Sequence, residues 1–459
     1  MLGRNLVPAR PIYLLILLQS SQGQSKDELH SSGLSYYYQY MITKSLRENG
    51  VKPDQFNEIF NYISQLAWFF NHEDAKEVEV RSLRGFNRAF SDNFTTVDFE
   101  TRCDLLVRSK ILAKSGDYYS FLYPYVFYFF LGKYLATNLH TTKIKDLVSD
   151  YCENLNNRKH ASTVLFLSHH SNDPWLINKI ADTAASCFSD KPTLNIESDV
   201  SSLNALVDST SELVINDLDV DSNQEAQRKL ADQLDDDYQE HEDEEDTALE
   251  MVNNFNQLLK TCEILGQITK NYYGSIERPK KKEYLKTIFD GSLRLLRSLF
   301  DEIIKDPDLF VKELEKAMSE YGNKPKEFIE EHSKKAAFDL IGVICTGIIE
   351  RTAKFVSAEA LRDDIAAVIS ENNTNAFYLI EAATRLLQPG QLPFNELTKL
   401  AQNLKTNIFA FTILQSLIAY HLYMFHTTDS VKQKLCAIAN ISMPNARSLD
   451  LKGRLNKLH

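Results

Sequence analysis

A chain of 459 residues, 43% hydrophobic and 25% charged, has enough apolar side chain for more than one buried core and excludes wholesale disorder. Its 63 acidic against 51 basic residues give a formal net charge of −12, which argues against a general nucleic-acid binder that works by neutralising phosphates. Fifteen glycines and twelve prolines leave few breakers and predict long helices; six cysteines, far apart and without a C-x-x-C, read as reduced thiols rather than a disulfide framework or a zinc site.

At the N-terminus, Arg4 and Arg10 precede the apolar run Ile12 to Leu18, which imitates a secretory signal. The run holds only seven residues, is introduced by Pro8 and Pro11, and is followed by no A-x-A. It is also far short of the roughly 20 apolar residues of a membrane span. An aromatic helix then begins at Leu34 and runs to about residue 49. Asp54 stands where a helix cap belongs, and Phe56, Ile59, Phe60, Ile63, Leu66 and Ala67 repeat at three and four, the spacing of one buried helix face. Further helices are predicted from Val80 to Phe90 and from Asp98 to Ser109.

A strand signal follows at Lys110 to Lys114 and Tyr118 to Leu122, with Gly116 in the turn, so a β-hairpin is expected there. Three helices and a hairpin in this order are those of a winged-helix domain. The next segment, Tyr123 to Ala136, carries aromatic residues on nearly every side and should be a helix buried almost all round. From residue 141 to about 215, shorter amphipathic helices alternate with loops such as Ser168 to Pro174. Ten of the fifteen residues from Asp232 to Asp246 are acidic, a density that cannot pack and marks a solvated linker or helix extension. Beyond it, helices are expected at Ala248 to Asn271, Lys280 to Ile304, Pro307 to Tyr321, Pro325 to Arg351 and Ala358 to Glu371. The expected fold is therefore mainly α, a winged-helix segment with one β-hairpin followed by an α-helical bundle or stacked helical hairpins. Its divisions are 1–50 (a lid-like helical segment), 51–140 (winged helix plus aromatic helix), 141–231 (helical extension), 232–247 (acidic linker) and 248–459 (helical C-terminal domain).

No catalytic motif emerges. A phosphate loop needs G-x-x-x-x-G-K-[ST]; only Gly132 is followed by Lys, with Tyr134 next and Phe127 at the first glycine position. Asp217 to Ser222 begins like a calcium loop but has Ser222 where Gly is required and Arg228 where the closing Glu belongs. His169 and His170 are adjacent, so they point apart on a helix and read as loop or capping residues rather than joint metal ligands. The basic cluster Arg278 to Lys282 reads as a solvated helix start. In the third helix of the winged segment, Arg102, Arg108 and the following Lys110 are mixed with Asp98, Glu100 and Asp104, a face suited to packing more than to tracking phosphates.

Three stretches together resemble a family. Asn5 to Gln19, with Pro11 before an apolar helix, resembles the helical lid of signalling NTPases of the STAND class in the NACHT-like branch, although Ala9 stands where Gly is common. Residues 54–122 resemble the winged-helix domain that follows that lid, and Tyr119 to Ala136 resembles the aromatic helix ending in Y-L-A; Phe166 to Ser171 is also familiar from bacterial members. The resemblance spans about residues 1–180 and lacks the nucleotide-binding core with its phosphate loop and magnesium carboxylates. It implies a non-enzymatic regulatory or sensor portion of a prokaryotic signalling NTPase in defence or stress signalling, cytoplasmic, with no cofactor of its own. ATP or ADP with magnesium is expected for the full-length relative, Pro11 touching adenine once a core is supplied. Protein is the expected partner, with oligomerisation on activation; nucleic acid and membrane are not expected. Two other readings stay open: an independent helical scaffold or winged-helix protein binding a protein or DNA, and a secreted helical protein with a cleaved signal.

Overall fold

The computed structural model describes residues 33–207, 213–215, 219–237, 247–305, 307–321, 326–388, 390 and 392–443. The N-terminal apolar run, Pro8, Pro11, most of the acidic stretch 232–247 and the first two residues of the calcium-like segment lie outside them. The chain is mainly helical and divides into two compact units, residues 1–183 with 228–264 and residues 184–227 with 265–459.

The first unit begins with α1 (Gly33–Glu48) and α2 (Phe56–His72). The three-and-four spacing of α2 buries Ile59, Phe60, Ile63, Leu66 and Ala67. Asp54 does not cap this helix; it sits in a 3-10 turn, Pro53–Gln55, where the Lys52 amide donates to Gln55 Oε1 at 3.0 Å. A strand that the sequence reading omitted follows, β1 (Glu77–Glu79), and leads directly into α3 (Val80–Asn93). Next come α4 (Phe99–Arg108), β2 (Leu112–Ser115) and β3 (Tyr118–Phe121). Asp98 caps α4 by accepting from the Thr101 amide at 2.9 Å. The turn of the hairpin uses Gly116 at φ +58°, a left-handed conformation that glycine takes without a Cβ clash.

The single hairpin expected is thus a three-stranded antiparallel sheet of order β1-β3-β2, with Val78 opposite Tyr119 and Ala113 opposite Ser120. β1 has only three residues and one apolar side chain, Val78, so no local alternation announces it; its pairing with β3 forms it.

α5 (Pro124–Asn138) is the centre of the unit: of its side chains only Pro124 and Thr137 are exposed. It packs on α2 and on α7 (Arg158–His170), while α6 (Thr142–Glu153) lies along α7. Gly132 allows the closest approach, since a Cβ there would lie 2.7 Å from the Phe166 carbonyl carbon. Rings fill the surroundings: Phe60 meets Phe130 edge-on at 5.2 Å, Tyr38 meets Phe166 at 4.8 Å, and Trp68 stacks on Tyr134 at 4.8 Å. Gln257 closes the unit by donating to the Cys152 carbonyl and accepting from the Asn156 amide, at 2.8 and 2.9 Å.

Three helices, α8 (Pro174–Ser186), α10 (Val220–Asp237) and α11 (Thr247–Asn271), contribute residues to both units. The second unit adds the short α9 (Ser201–Asn204), β4 (Leu213–Val214) and the series α12 (Arg278–Lys305), α13 (Pro307–Tyr321), α14 (Lys326–Val356), α15 (Arg362–Asn372), α16 (Asn375–Leu387), α17 (Phe394–Asn403), α18 (Ile408–Met424) and α19 (Asp429–Ala439), ending in β5 (Ile441–Ser442). β4 and β5 pair in parallel. α18 plays the part of α5: eleven of its residues, from Phe409 to Leu422, are buried. α14 packs against α13, α16 and α18, and Gly266 of α11 is set against the Phe355 carbonyl, 2.5 Å from where a Cβ would stand. Asn407 caps α18 through the Ala410 amide and also donates to the Ile196 carbonyl at 2.8 Å, which fastens the segment before α9 to the C-terminal helices.

Candidate functional site

In the first unit, α1, α2 and α5 leave a cleft of about 510 Å³ between them. Two helices present a polar stripe to it at four-residue spacing, Gln39, Thr43 and Arg47 from α1 and Asn57, Asn61 and Gln65 from α2, and α5 adds Lys133, Thr137 and Asn138. Residues four apart stack on one helix face, so the opposite faces of α1 and α2 remain free to bury Met41, Ile42 and Leu46, and Ile59, Ile63 and Leu66. Phe56, Phe60 and Tyr134 complete the walls, with Arg47 over the Phe56 ring at 5.6 Å. No carboxylate lines the cleft, in a chain with twelve more acidic than basic residues. Lys133 is half-buried and meets no carboxylate among the described residues; burial holds its amine below the usual lysine range.

The sequence reading met Lys133 only as a failed phosphate-loop lysine. Gly132 and Lys133 lie in the middle of α5, where Gly132 exists for helix packing and Lys133 turns into the cleft. The two stripes themselves were visible as four-residue spacing, but only the fold aligns them beside Lys133.

The other candidates are distributed differently. Pro11 lies outside the described residues. Ser168, His169 and His170 are not a loop; they form the last turn of α7, with His169 buried and His170 half-buried. His170 Nε2 lies 2.9 Å from the Phe129 carbonyl, with the ring edge-on to the Phe129 ring at 4.5 Å. Desolvation lowers His169 to about 4 and His170 to about 3, so both are neutral at pH 7. The basic cluster is the largely exposed start of α12, as expected, but its cations are paired: Arg278 and Lys281 both reach the buried Asp364 at 3.0 Å, Lys280 pairs with Glu283, and Lys282 with Glu371. On α4, Arg102 grips Glu58 with two hydrogen bonds of 2.8 Å and lies over the Tyr62 ring, while Arg108 pairs with Asp104. Cys103, Cys152, Cys262, Cys345 and Cys436 are buried and Cys187 half-buried, none in a disulfide; burial pushes the Cys103 thiol up to about 11 and Cys152 to about 12, away from thiolate chemistry. Among the described residues no group of three or more His, Cys, Asp or Glu is arranged to hold a metal ion, and no helix is long and apolar enough to cross a membrane.

A family model described as Novel STAND NTPase 4 matches residues 76–131. The match supports a relationship to STAND-class NTPases and runs from the residue before β1 into α5, over the whole sheet layer. Comparison with curated proteins and with solved structures returned no match.

Proposed function

We propose that this chain is a non-catalytic regulatory and sensor portion of a STAND-class signalling NTPase of the NACHT-like branch, acting in prokaryotic defence or stress signalling. The observation that carries the reading is the coincidence of the family match with the β1-α3-α4-β2-β3 layer and the helix that closes it. We take that layer, with α2, as a winged helix, whose element order and strand pairing it has. Its third helix turns its best-placed cation, Arg102, into an ion pair with Glu58, which favours a protein partner over DNA. The helices of the second unit supply the surface for a trigger, and the protein works in the cytoplasm.

This reading assigns no phosphate loop to the chain. The one Gly-Lys pair is locked in the middle of a helix whose backbone amides are bonded within it, so no loop of free amides can surround a phosphate. No hydrolytic step is therefore assigned to the chain, and the nucleotide belongs to a phosphate-loop core, with Pro11 as the residue we assign to its adenine contact. Two measurements test the reading. The purified chain with ATP and magnesium should release no phosphate, and turnover that persists through stringent purification overturns the non-catalytic part. Added to a NACHT-like phosphate-loop core of the same family, the chain should bind it and slow release of labelled ADP; elution apart, with release unchanged, overturns the regulatory part.

A further inference from the structure

The composition of the α1-α2-α5 cleft selects its occupant. Gln39, Thr43, Asn57, Asn61 and Gln65 have no side-chain hydrogen-bond partner among the described residues, and neither Arg47 nor Lys133 has an ion-pair partner there. Of these, Thr43, Asn61, Gln65 and Lys133 are half-buried, while Gln39, Asn57 and Arg47 are exposed; half-buried polar groups without partners are unfavourable in a folded protein unless water or a ligand satisfies them. Two cations and several amides, without a carboxylate, match an anionic group attached to a body rich in hydroxyls. Amides both donate and accept, as a polyol needs, whereas cations only donate.

We propose that this cleft binds a small organic phosphate, its phosphate held by Lys133 and Arg47 and its hydroxyl-bearing body by the amide stripes of α1 and α2. The cleft volume of about 510 Å³ falls in the range of about 300–1,000 Å³ usual for small-molecule sites. Size also separates this ligand from a polyanion. An extended nucleic acid meets the repulsion of a chain carrying −12, while a small phosphate meets only the local pair of cations. The inference does not depend on the signalling role proposed above.

Isothermal titration of the full chain at low salt tests it, with ribose 5-phosphate, inorganic phosphate and ribose as separate arms. Saturable binding of ribose 5-phosphate is expected, weaker binding of inorganic phosphate and none of ribose. Lys133→Gln and Arg47→Gln should each weaken the ester about tenfold, the loss of one charge-assisted contact. Asn61→Ala keeps both charges and should weaken ribose 5-phosphate while leaving inorganic phosphate unchanged. Equal affinity for the ester and inorganic phosphate overturns the role of the amides. Absence of heat with both anions, or undiminished ester binding in the doubly substituted chain with native circular dichroism, overturns the site.

Discussion

In the second unit several cations are paired with acids, although half-buried Arg294 donates to the Ala184 carbonyl at 3.1 Å instead. Arg278 and Lys281 meet Asp364, and Arg297 bridges Asp199 and Asp301 at 2.7 Å while Lys191 reaches Asp301 at 2.8 Å. The cleft of the first unit leaves Lys133 and Arg47 beside amides, without a counter-charge among the described residues. Otherwise the two units are built alike: each has one helix buried nearly all round, α5 or α18, one glycine where a second backbone crosses, and a histidine in the last turn of a helix set against a neighbouring helix's carbonyl, His170 on Phe129 or His421 on Leu386. The difference teaches where to look for function. A cation that balances a neighbouring acid or carbonyl holds the fold together, and one that is half-buried with neither, as Lys133 is among the described residues, is available to something else.

Four experiments bear on that comparison. Both tryptophans, Trp68 and Trp175, belong to the first unit, so their fluorescence follows it alone, while far-UV circular dichroism follows the whole chain. The largest effect should come from acid. Unfolded, the His169 and His170 imidazoles titrate near 6.5; folded, burial holds them at about 4 and about 3. Between those values the unfolded chain binds protons that the fold refuses, so stability is complete above about pH 6.5 and falls as pH falls. By pH 5 the two groups together should remove about 4 kcal/mol from the first unit, seen as an earlier fluorescence midpoint in urea. A midpoint that does not move between pH 7 and 5 would show that these rings are hydrated.

Asp364→Ala should come next. It strands Lys281, whose side chain is only 14% exposed, and should cost about 3 kcal/mol in the second unit, shifting the circular dichroism transition but not the tryptophan transition. Gly132→Ala and Gly266→Ala each force a methyl against another helix's backbone and should cost about 2 kcal/mol, the first read by fluorescence and the second by circular dichroism. Gly85→Ala and Gly347→Ala, where nothing lies within 4 Å of the new methyl, are the controls and should stabilise slightly. The smallest effect has the opposite sign to Asp364→Ala and is the sharpest test: Lys133→Met removes a half-buried charge with no acid beside it and should raise stability by about 0.5 kcal/mol, allowing for the water that still reaches it. Destabilisation there would mean that Lys133 has a structural partner and would erase the contrast between the units.

Much of the local structure was legible. The spacing of α2, the acid before α4, the glycine of the β2-β3 turn and the unbroken aromatic run of α5 each identify their element from neighbours within about a dozen residues. What escaped depends on residues far away in sequence. β1 is three residues that become a strand because Tyr118 to Ser120 lie alongside. Ser168 to His170 carry loop-like composition, yet α5 supplies the carbonyl and ring that keep them helical and dry. Asn87, unremarkable in the sequence, accepts from the buried Tyr62 hydroxyl at 2.9 Å and donates to the Val97 carbonyl at 2.9 Å.

The sequence by itself determined that the protein is mainly helical and that its one Gly-Lys pair is not set in a phosphate loop, because periodicity and motif spacing are local properties of the chain. Which cations are paired, which glycine admits a neighbouring helix, and that polar residues of three separate helices face one cleft were decided only by the tertiary structure. Those outcomes depend on contacts between residues tens to a hundred positions apart, and no local pattern records which helix face will meet which.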